Sequence, residues 1–258
     1  MAGRAPTVLA VAGSDSSGGA GLAADLLAAE ALGARLRWAV TAVTAQTDQA
    51  VGAVHTLPLA LVCRQIEMAL GDGAVASAKL GMLGNAACAH AVAEALRDFA
   101  VRRPVVIDPV LLSSSGATLL DAAGVAVLIE ELLPMAALVT PNRPELAHLA
   151  LCLGASPADT VAQQAAFLMR AGARAVLVKG GHAGGPEATD LLFERHRSEP
   201  AGFSSPRVDA RMRGTGCRLA TAIAVRLARG EGLAASCASA KADLHGLLAA
   251  VAGQRGAV

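Results

Sequence analysis

The feature that most constrains this fold is a rhythm of short apolar runs, each closing on a small or polar residue and most followed by helical spacing. Runs at 7–12, 38–45, 77–82, 105–107, 137–140 and 175–178 read as strands, with further strands predicted at 51–56, 189–193 and 203–208. Between and after them, helices are predicted at 22–32, 58–70, 86–101, 121–132, 144–151, 157–171, 215–229 and 233–251, with Pro58 near a first turn and Pro134 closing the fourth helix. Strands alternating with helices require a mostly parallel sheet covered on both faces. No linker composition or fixed-period repeat divides the chain, so residues 1–258 are expected to form one domain.

Such a sheet receives ligands beyond the carboxyl ends of its strands. Gly13, Asp108, Asn142 and Lys179 each follow a predicted strand directly, so they are expected on one rim despite their distance in sequence. A Gly/Ser loop is expected over 13–21. Its Gly19-Ala20-Gly21-Leu22-Ala23-Ala24 fits the Gly-x-Gly-x-x-Gly/Ala dinucleotide pattern, yet Gln46 rather than an acid ends the second strand. Backbone approach to a small ligand is the better reading. The chain has no Gly-Lys-Ser/Thr and no His-Glu-x-x-His, so neither a P-loop nor a zinc helix is present.

The sharpest local signal is Arg213-Gly214-Thr215-Gly216-Cys217. A Gly-x-Gly turn opening a helix gathers unpaired backbone N–H groups at the positive end of the dipole, which makes an anion site. Cys217 falls in that first turn, where a lowered thiol pKa is expected, and Arg213 and Arg218 add positive charge if they face it. Asp108 after three β-branched residues, and Asn142-x-x-Glu145, place oxygens on the same rim. Two such oxygens suit Mg²⁺, although Asn142 also reads as an N-cap and Glu145 as a first-turn acid. Lys179 puts a cation beside Gly180-Gly181. Together these are the parts of phosphoryl transfer.

Composition narrows the class. Twenty-two basic and 21 acidic residues give a net charge of +1, so no electrostatic footprint for nucleic acid or a charged membrane is present. Aromatics make up 2%, too few for base-stacking platforms. The five cysteines form no Cys-x-x-Cys pair, and the start lacks the apolar core of a signal peptide, so a reduced, cytoplasmic protein is expected.

The run from Ala12 to Gly21, with Ala24-Asp25 after it, resembles the start of the hydroxymethylpyrimidine/phosphomethylpyrimidine kinases of thiamine biosynthesis, in the ribokinase-like superfamily. Lys79-Leu80-Gly81-Met82-Leu83, Asp108-Pro109-Val110, Thr140-Pro141-Asn142-x-x-Glu145, Lys179-Gly180-Gly181-His182 and Gly214-Thr215-Gly216-Cys217 continue the likeness in order. The resemblance implies a three-layer α/β/α fold, ATP and Mg²⁺ as cofactors, and a homodimer. It implies that Cys217 is the catalytic base beside an anion hole of Gly214, Thr215 and Gly216. By the same likeness Gly13, Asp25, Gln46, Met82 and Val110 line a pyrimidine pocket. Lys179, Asn142 and Lys241 serve ATP, and Asp108 and Glu145 the metal. The chain departs from the family pattern at Arg213 (usually His), Arg218 (usually Thr), Ala117 after Gly116 (usually a polar or acidic residue) and the segment Thr47-Asp48-Gln49-Ala50-Val51 (usually Asn-Thr-x-Gly-Val). The activity implied is ATP-dependent phosphorylation of hydroxymethylpyrimidine and then of its monophosphate. A kinase of a related alcohol such as pyridoxal, or a non-catalytic pyrimidine-binding homologue, are the alternatives.

Overall fold

A computed structural model describes residues 5–113, 115–182 and 184–255, so part of the segment read for the chain's start lies outside it. In order the chain forms β1 (Thr7–Asp15), α1 (Gly21–Ala31), β2 (Arg35–Gln46), β3 (Val51–Thr56), α2 (Leu59–Leu70), β4 (Val75–Leu80), α3 (Ala86–Arg102) and β5 (Val105–Ile107). Then follow α4 (Ala122–Val127), β6 (Leu138–Val139), α5 (Arg143–Cys152), α6 (Val161–Arg170), β7 (Ala175–Val178), β8 (Glu187–Glu194), β9 (Ala201–Pro206), α7 (Thr215–Ala228) and α8 (Leu233–Arg255). All nine strands share one sheet in the order β3-β2-β1-β4-β5-β6-β7-β8-β9. The pairings from β2 to β7 are parallel, while β3, β8 and β9 add antiparallel edges.

Period-2 alternation divides each central strand between two cores. Leu9, Val11, Val105, Ile107, Val139, Val176 and Val178 pack with α2, α3, α4, α5 and α6. Val8, Val106, Leu138, Ala175 and Leu177 face the opposite core, where α7 and α8 lie with Ala29 of α1. Burial on both sides is why these strands read as continuous apolar runs. Among the described residues no helix is long and apolar enough to cross a membrane.

Most boundaries shift by a few residues, and three of the differences have a clear physical cause. The strand expected to end at Ala12 continues to Asp15, with a register irregularity between Ala12 and Ser14. Gly13 makes this possible, since a Cβ there would lie 2.8 Å from Met82 Sδ. The loop is thereby shortened to the residues between Asp15 and Gly21. The helix expected over 121–132 is α-helical only to Val127, then passes through a π turn (Leu128–Leu132) and a 3₁₀ turn (Leu133–Met135) that accommodates Pro134. The helix expected from 157 starts at Val161, because Thr160 and Gln163 form a reciprocal capping box there.

One polar cluster crosses the apolar interior. Lys79 of β4 and Asp25 of α1 are fully buried, with Nζ 2.9 Å from Oδ1 and 3.0 Å from Oδ2. Thr221 of α7 donates its hydroxyl to Asp25 Oδ1 at 2.8 Å. Burial works against the Lys79 ammonium, but Asp25, Cys217 and Asp108 together outweigh it and hold the Lys79 pKa above its ordinary value. The pair therefore ties one strand to two helices. Lys79→Met is expected to destabilise the protein by about 3–5 kcal/mol in urea unfolding, because a buried carboxylate loses its partner. Lys79→Met/Asp25→Leu should recover most of that loss. A single-variant cost below about 1 kcal/mol would show that Asp25 is not held as a charge.

Candidate active site

The strand ends converge as the parallel topology requires. Asp108 follows β5, Asn142 follows β6 and Lys179 follows β7, and the last two form a backbone bridge. Lys179 donates from Nζ to Asp108 Oδ1 at 2.6 Å, and Glu145 Oε2 lies 3.9 Å from the same ammonium. Asp108 Oδ1 also accepts from Thr140 Oγ1 at 3.2 Å. Asn142 is the cap of α5: its Oδ1 accepts from the Glu145 N–H at 2.8 Å, and Glu145 Oε2 accepts from the Asn142 N–H at 2.8 Å. Both the cap and the rim position read from the sequence are thus present together.

Burial pushes the Glu145 carboxyl up to about 7; Asp108 adds to this, while Lys179 and the Asn142 N–H oppose it. Among the described residues neither Asp108 Oδ2 nor Glu145 Oε1 has a protein donor. Two oxygens beside one ammonium form a donor set that fits a hydrated Mg²⁺.

The Gly214 to Cys217 turn sits over this group. Gly214 has φ +70° and caps α7 without a side chain. A Cβ on Gly214 would lie 2.4 Å from the Gly19 carbonyl oxygen, so this turn and the loop before α1 touch backbone to backbone. A Cβ on Gly216 would lie 3.1 Å from Lys179 Nζ and 3.3 Å from Asp108 Oδ2. Glycine at 214 is therefore demanded by both space and backbone geometry, whereas at 216 a larger residue would crowd the Lys179 and Asp108 side chains.

Cys217 departs from the expected lowered pKa. Burial pushes its thiol up to about 11; Lys79 opposes this, while Asp25 and Asp108 add to it. Nor does the Arg213 guanidinium stay with the thiol. It turns to the other side of the turn, 3.2 Å from Asp15 Oδ2 and 3.0 Å from Gln46 Oε1. Arg218 Nε is buried without a hydrogen-bond partner among the described residues.

Among the residues expected to line a pyrimidine pocket, Gly13 packs against Met82, whose carbonyl accepts from Thr41 Oγ1 at 2.7 Å. Val110 is partly exposed after the short Asp108-Pro109-Val110 turn, in which its N–H donates to the Asp108 carbonyl. Gln46 ends β2. Two residues expected to contact ligands are held by protein partners. Asp25 does not open onto a pocket, since it is fully buried and accepts from Lys79 and Thr221. Lys241 is not a loose cation: its Nζ lies 2.9 Å from Asp190 Oδ1, which also accepts from the Gly180 N–H at 2.7 Å. Lys241 thus fixes the Lys179-Gly180 turn through Asp190.

The sequence alone assigns no role to Lys79, Asp15, Asp190 or Thr221. Lys79 carried a signal, a lone charge inside an otherwise apolar strand. Asp15 lay within the segment read as loop. It organises that segment by accepting from Ser17 N, Ser17 Oγ and Ala20 N at 2.8–2.9 Å.

The sequence pattern described as phosphomethylpyrimidine kinase matches residues 15–255. The chain belongs to the phosphomethylpyrimidine kinase family. A hydroxymethylpyrimidine/phosphomethylpyrimidine kinase of Rhizobium meliloti is 44% identical over 94% of this chain and 90% of its own length. A solved phosphomethylpyrimidine kinase from Clostridium difficile superposes with a TM-score of 0.78 at 31% identity, covering 95% of this chain and 100% of that one. A pyridoxal kinase from Staphylococcus aureus with bound pyridoxal gives 0.82 at 28% identity, over 94% and 87% of the two chains. That kinase has also been solved with AMP-PCP and with ADP. The fold is therefore the three-layer arrangement of the ribokinase-like kinases.

For this phosphomethylpyrimidine kinase family member, the thiol environment sets a pH signature. Peptide-resolved iodoacetamide labelling of Cys217 in the ligand-free protein should accelerate about tenfold per pH unit from pH 7 to 9, without a plateau. A plateau below pH 9 would contradict a thiol held neutral by burial.

Proposed function

We propose that the chain transfers the γ-phosphoryl group of ATP to 4-amino-5-hydroxymethyl-2-methylpyrimidine and then to its monophosphate. The product is the pyrimidine diphosphate used in thiamine biosynthesis. The observation that carries this reading is the Gly214 to Cys217 turn standing over Lys179 and Asp108 at the start of α7. Backbone N–H groups of Thr215, Gly216 and Cys217 face an anion there, and Lys179 supplies a positive charge beside them. In this reading one domain, 1–258, holds both substrates, in a cytoplasmic homodimer.

Gly13, Met82, Val110 and Gln46 hold the pyrimidine, with the apolar pair on the ring and the amide on its polar edge. Lys179 and Asn142 serve the ATP phosphates, and Lys241 steadies that side through Asp190 and Gly180. Asp108 and Glu145 would hold Mg²⁺ through its waters, and a bound Mg²⁺ supplies neutralisation of phosphate charge. Asp25 acts from below by fixing Lys79.

The raised thiol pKa refines the role of Cys217. With its proton held by burial and by the charges of Asp25 and Asp108, Cys217 is a poor base in the ligand-free protein. Neutralising Asp108 removes one of those charges, but burial and Asp25 still oppose the thiolate. A base function therefore requires the loaded site to lower the thiol pKa. The likeness to pyridoxal kinase supports a second reading, a flat heteroaromatic alcohol such as pyridoxal as a side substrate.

Phosphorus NMR of the protein with ATP, Mg²⁺ and hydroxymethylpyrimidine tests the proposal. Monophosphate followed by diphosphate is expected, and absence of both with continued pyrimidine binding would overturn it in favour of a non-catalytic binder. In the same assay Cys217→Ala should keep ATP binding while turnover falls about 10²–10⁴-fold. Near-normal turnover would remove the base role from the thiol.

A further inference from the structure

Arg213 is the best-connected side chain near the site that the reaction does not use. It stands next to the anion turn, yet its guanidinium points at two other segments. Nη1 donates to Ser17 Oγ at 2.6 Å, to the Thr47 carbonyl at 3.0 Å and toward Asp48 Oδ1 at 3.3 Å. Nη2 donates to Gln46 Oε1 at 3.0 Å and lies 3.2 Å from Asp15 Oδ2. Gly19 lies beneath the stem, where a Cβ would meet Arg213 Cβ at 3.3 Å. Ser16 fixes the Gln46 backbone as well, donating from Oγ to its carbonyl at 3.0 Å and accepting from its N–H at 2.9 Å.

A guanidinium has donors only. Whatever faces Arg213 Nη2 must accept, so the Gln46 amide can face it only through Oε1. Flipping the amide would set Nε2 against Nη2, donor against donor. Gln46 Nε2 is thereby turned away from Arg213, and it makes no hydrogen bond to the described residues. The glutamine therefore offers a donor of fixed position, with the second lone pair of Oε1 beside it. This pattern matches a ring nitrogen that accepts, flanked by an exocyclic amino group that donates. It mismatches the 4-oxo counterpart, in which the ring nitrogen carries hydrogen and the exocyclic oxygen accepts. A glutamine able to flip would read either edge.

We infer that Arg213 is a specificity-determining positioning residue, which selects aminopyrimidines over pyrimidinones by locking the orientation of the Gln46 amide. The inference rests on the reading that Gln46 faces the ring. It also gives a physical role to one departure from the family pattern: the guanidinium fork spans the ends of β1 and β2 at once, which needs several donors in one plane.

The test compares kcat/KM for 4-amino-5-hydroxymethyl-2-methylpyrimidine and its 4-oxo counterpart in the native protein, Arg213→Ala, Arg213→Lys, Gln46→Leu and the Arg213→Ala/Gln46→Leu double variant. Arg213→Ala should lower the amino-to-oxo ratio about tenfold or more, the usual scale for one unpaired buried group, with the KM for ATP little changed. Gln46→Leu should lower the ratio similarly, and the double variant should go no further. Arg213→Lys keeps a cation beside Asp15 without the fork, and it carries the test if Arg213→Ala fails to fold; its ratio should fall while its Tm stays near native. Equal losses on both substrates in the Arg213 variants, with an intact Gln46→Leu effect, would make Arg213 a purely structural brace and overturn the inference alone. An unchanged ratio in Gln46→Leu would overturn the reading of Gln46 and the inference with it.

Discussion

The structure depends on a charge that should not be inside it. Lys79 is fully buried in a central strand, where Asp25 is its ion-pair partner. The pair fixes the separation of β4, α1 and α7, and Thr221 closes the link from the α7 side. The start of α7 is the anion turn, so this interaction sets the height of the turn above the sheet. It also leaves a positive charge beneath Cys217, in a place where water cannot screen it. Replacing the pair by apolar side chains is often neutral or better for stability. Its retention here is explained by the electrostatics of the site rather than by the energy of folding.

A second layer of charge is arranged around Lys179. Asp108 and Glu145 stand on its two sides, and burial keeps Glu145 from ionising fully at neutral pH. The ligand-free site is thus close to charge balance, which suits a cradle that receives a polyanion together with a cation. Asp190 plays the same part below the Lys179-Gly180 turn by pairing with Lys241. Neither lysine is a loose surface charge, so the anion meets donors already held in position, which is the main requirement of phosphoryl transfer.

Much of this was legible before the structure. The strand runs at 105–107 and 175–178 are placed to the residue, because strands buried on both faces leave uninterrupted apolar runs and polar residues mark their ends; the exposed edge strand at 51–56 also matches its expected bounds. The rim position of Asp108 and Lys179 followed from parallel topology alone. What escaped was partnership. Asp25 in an apolar helix and Lys79 in an apolar strand each look anomalous singly, and nothing in their separation along the chain reveals that they meet. The thiol was misjudged for a related reason: a helix start favours thiolate, but the penalty of burial and the two nearby carboxylates are properties of the fold. Arg213 adds charge to the thiol only if it faces it, and its length lets it reach the ends of β1 and β2 instead.

The central claim is that the transferred phosphoryl group sits at the start of α7, between Lys179 and Cys217. A crystal structure with ADP, Mg²⁺, aluminium fluoride and hydroxymethylpyrimidine tests it most directly. The account predicts the fluoride plane within hydrogen-bond reach of the N–H groups of Thr215, Gly216 and Cys217, with Lys179 on the nucleotide side. Density for the fluoride elsewhere along the rim, with the α7 start empty, would contradict it.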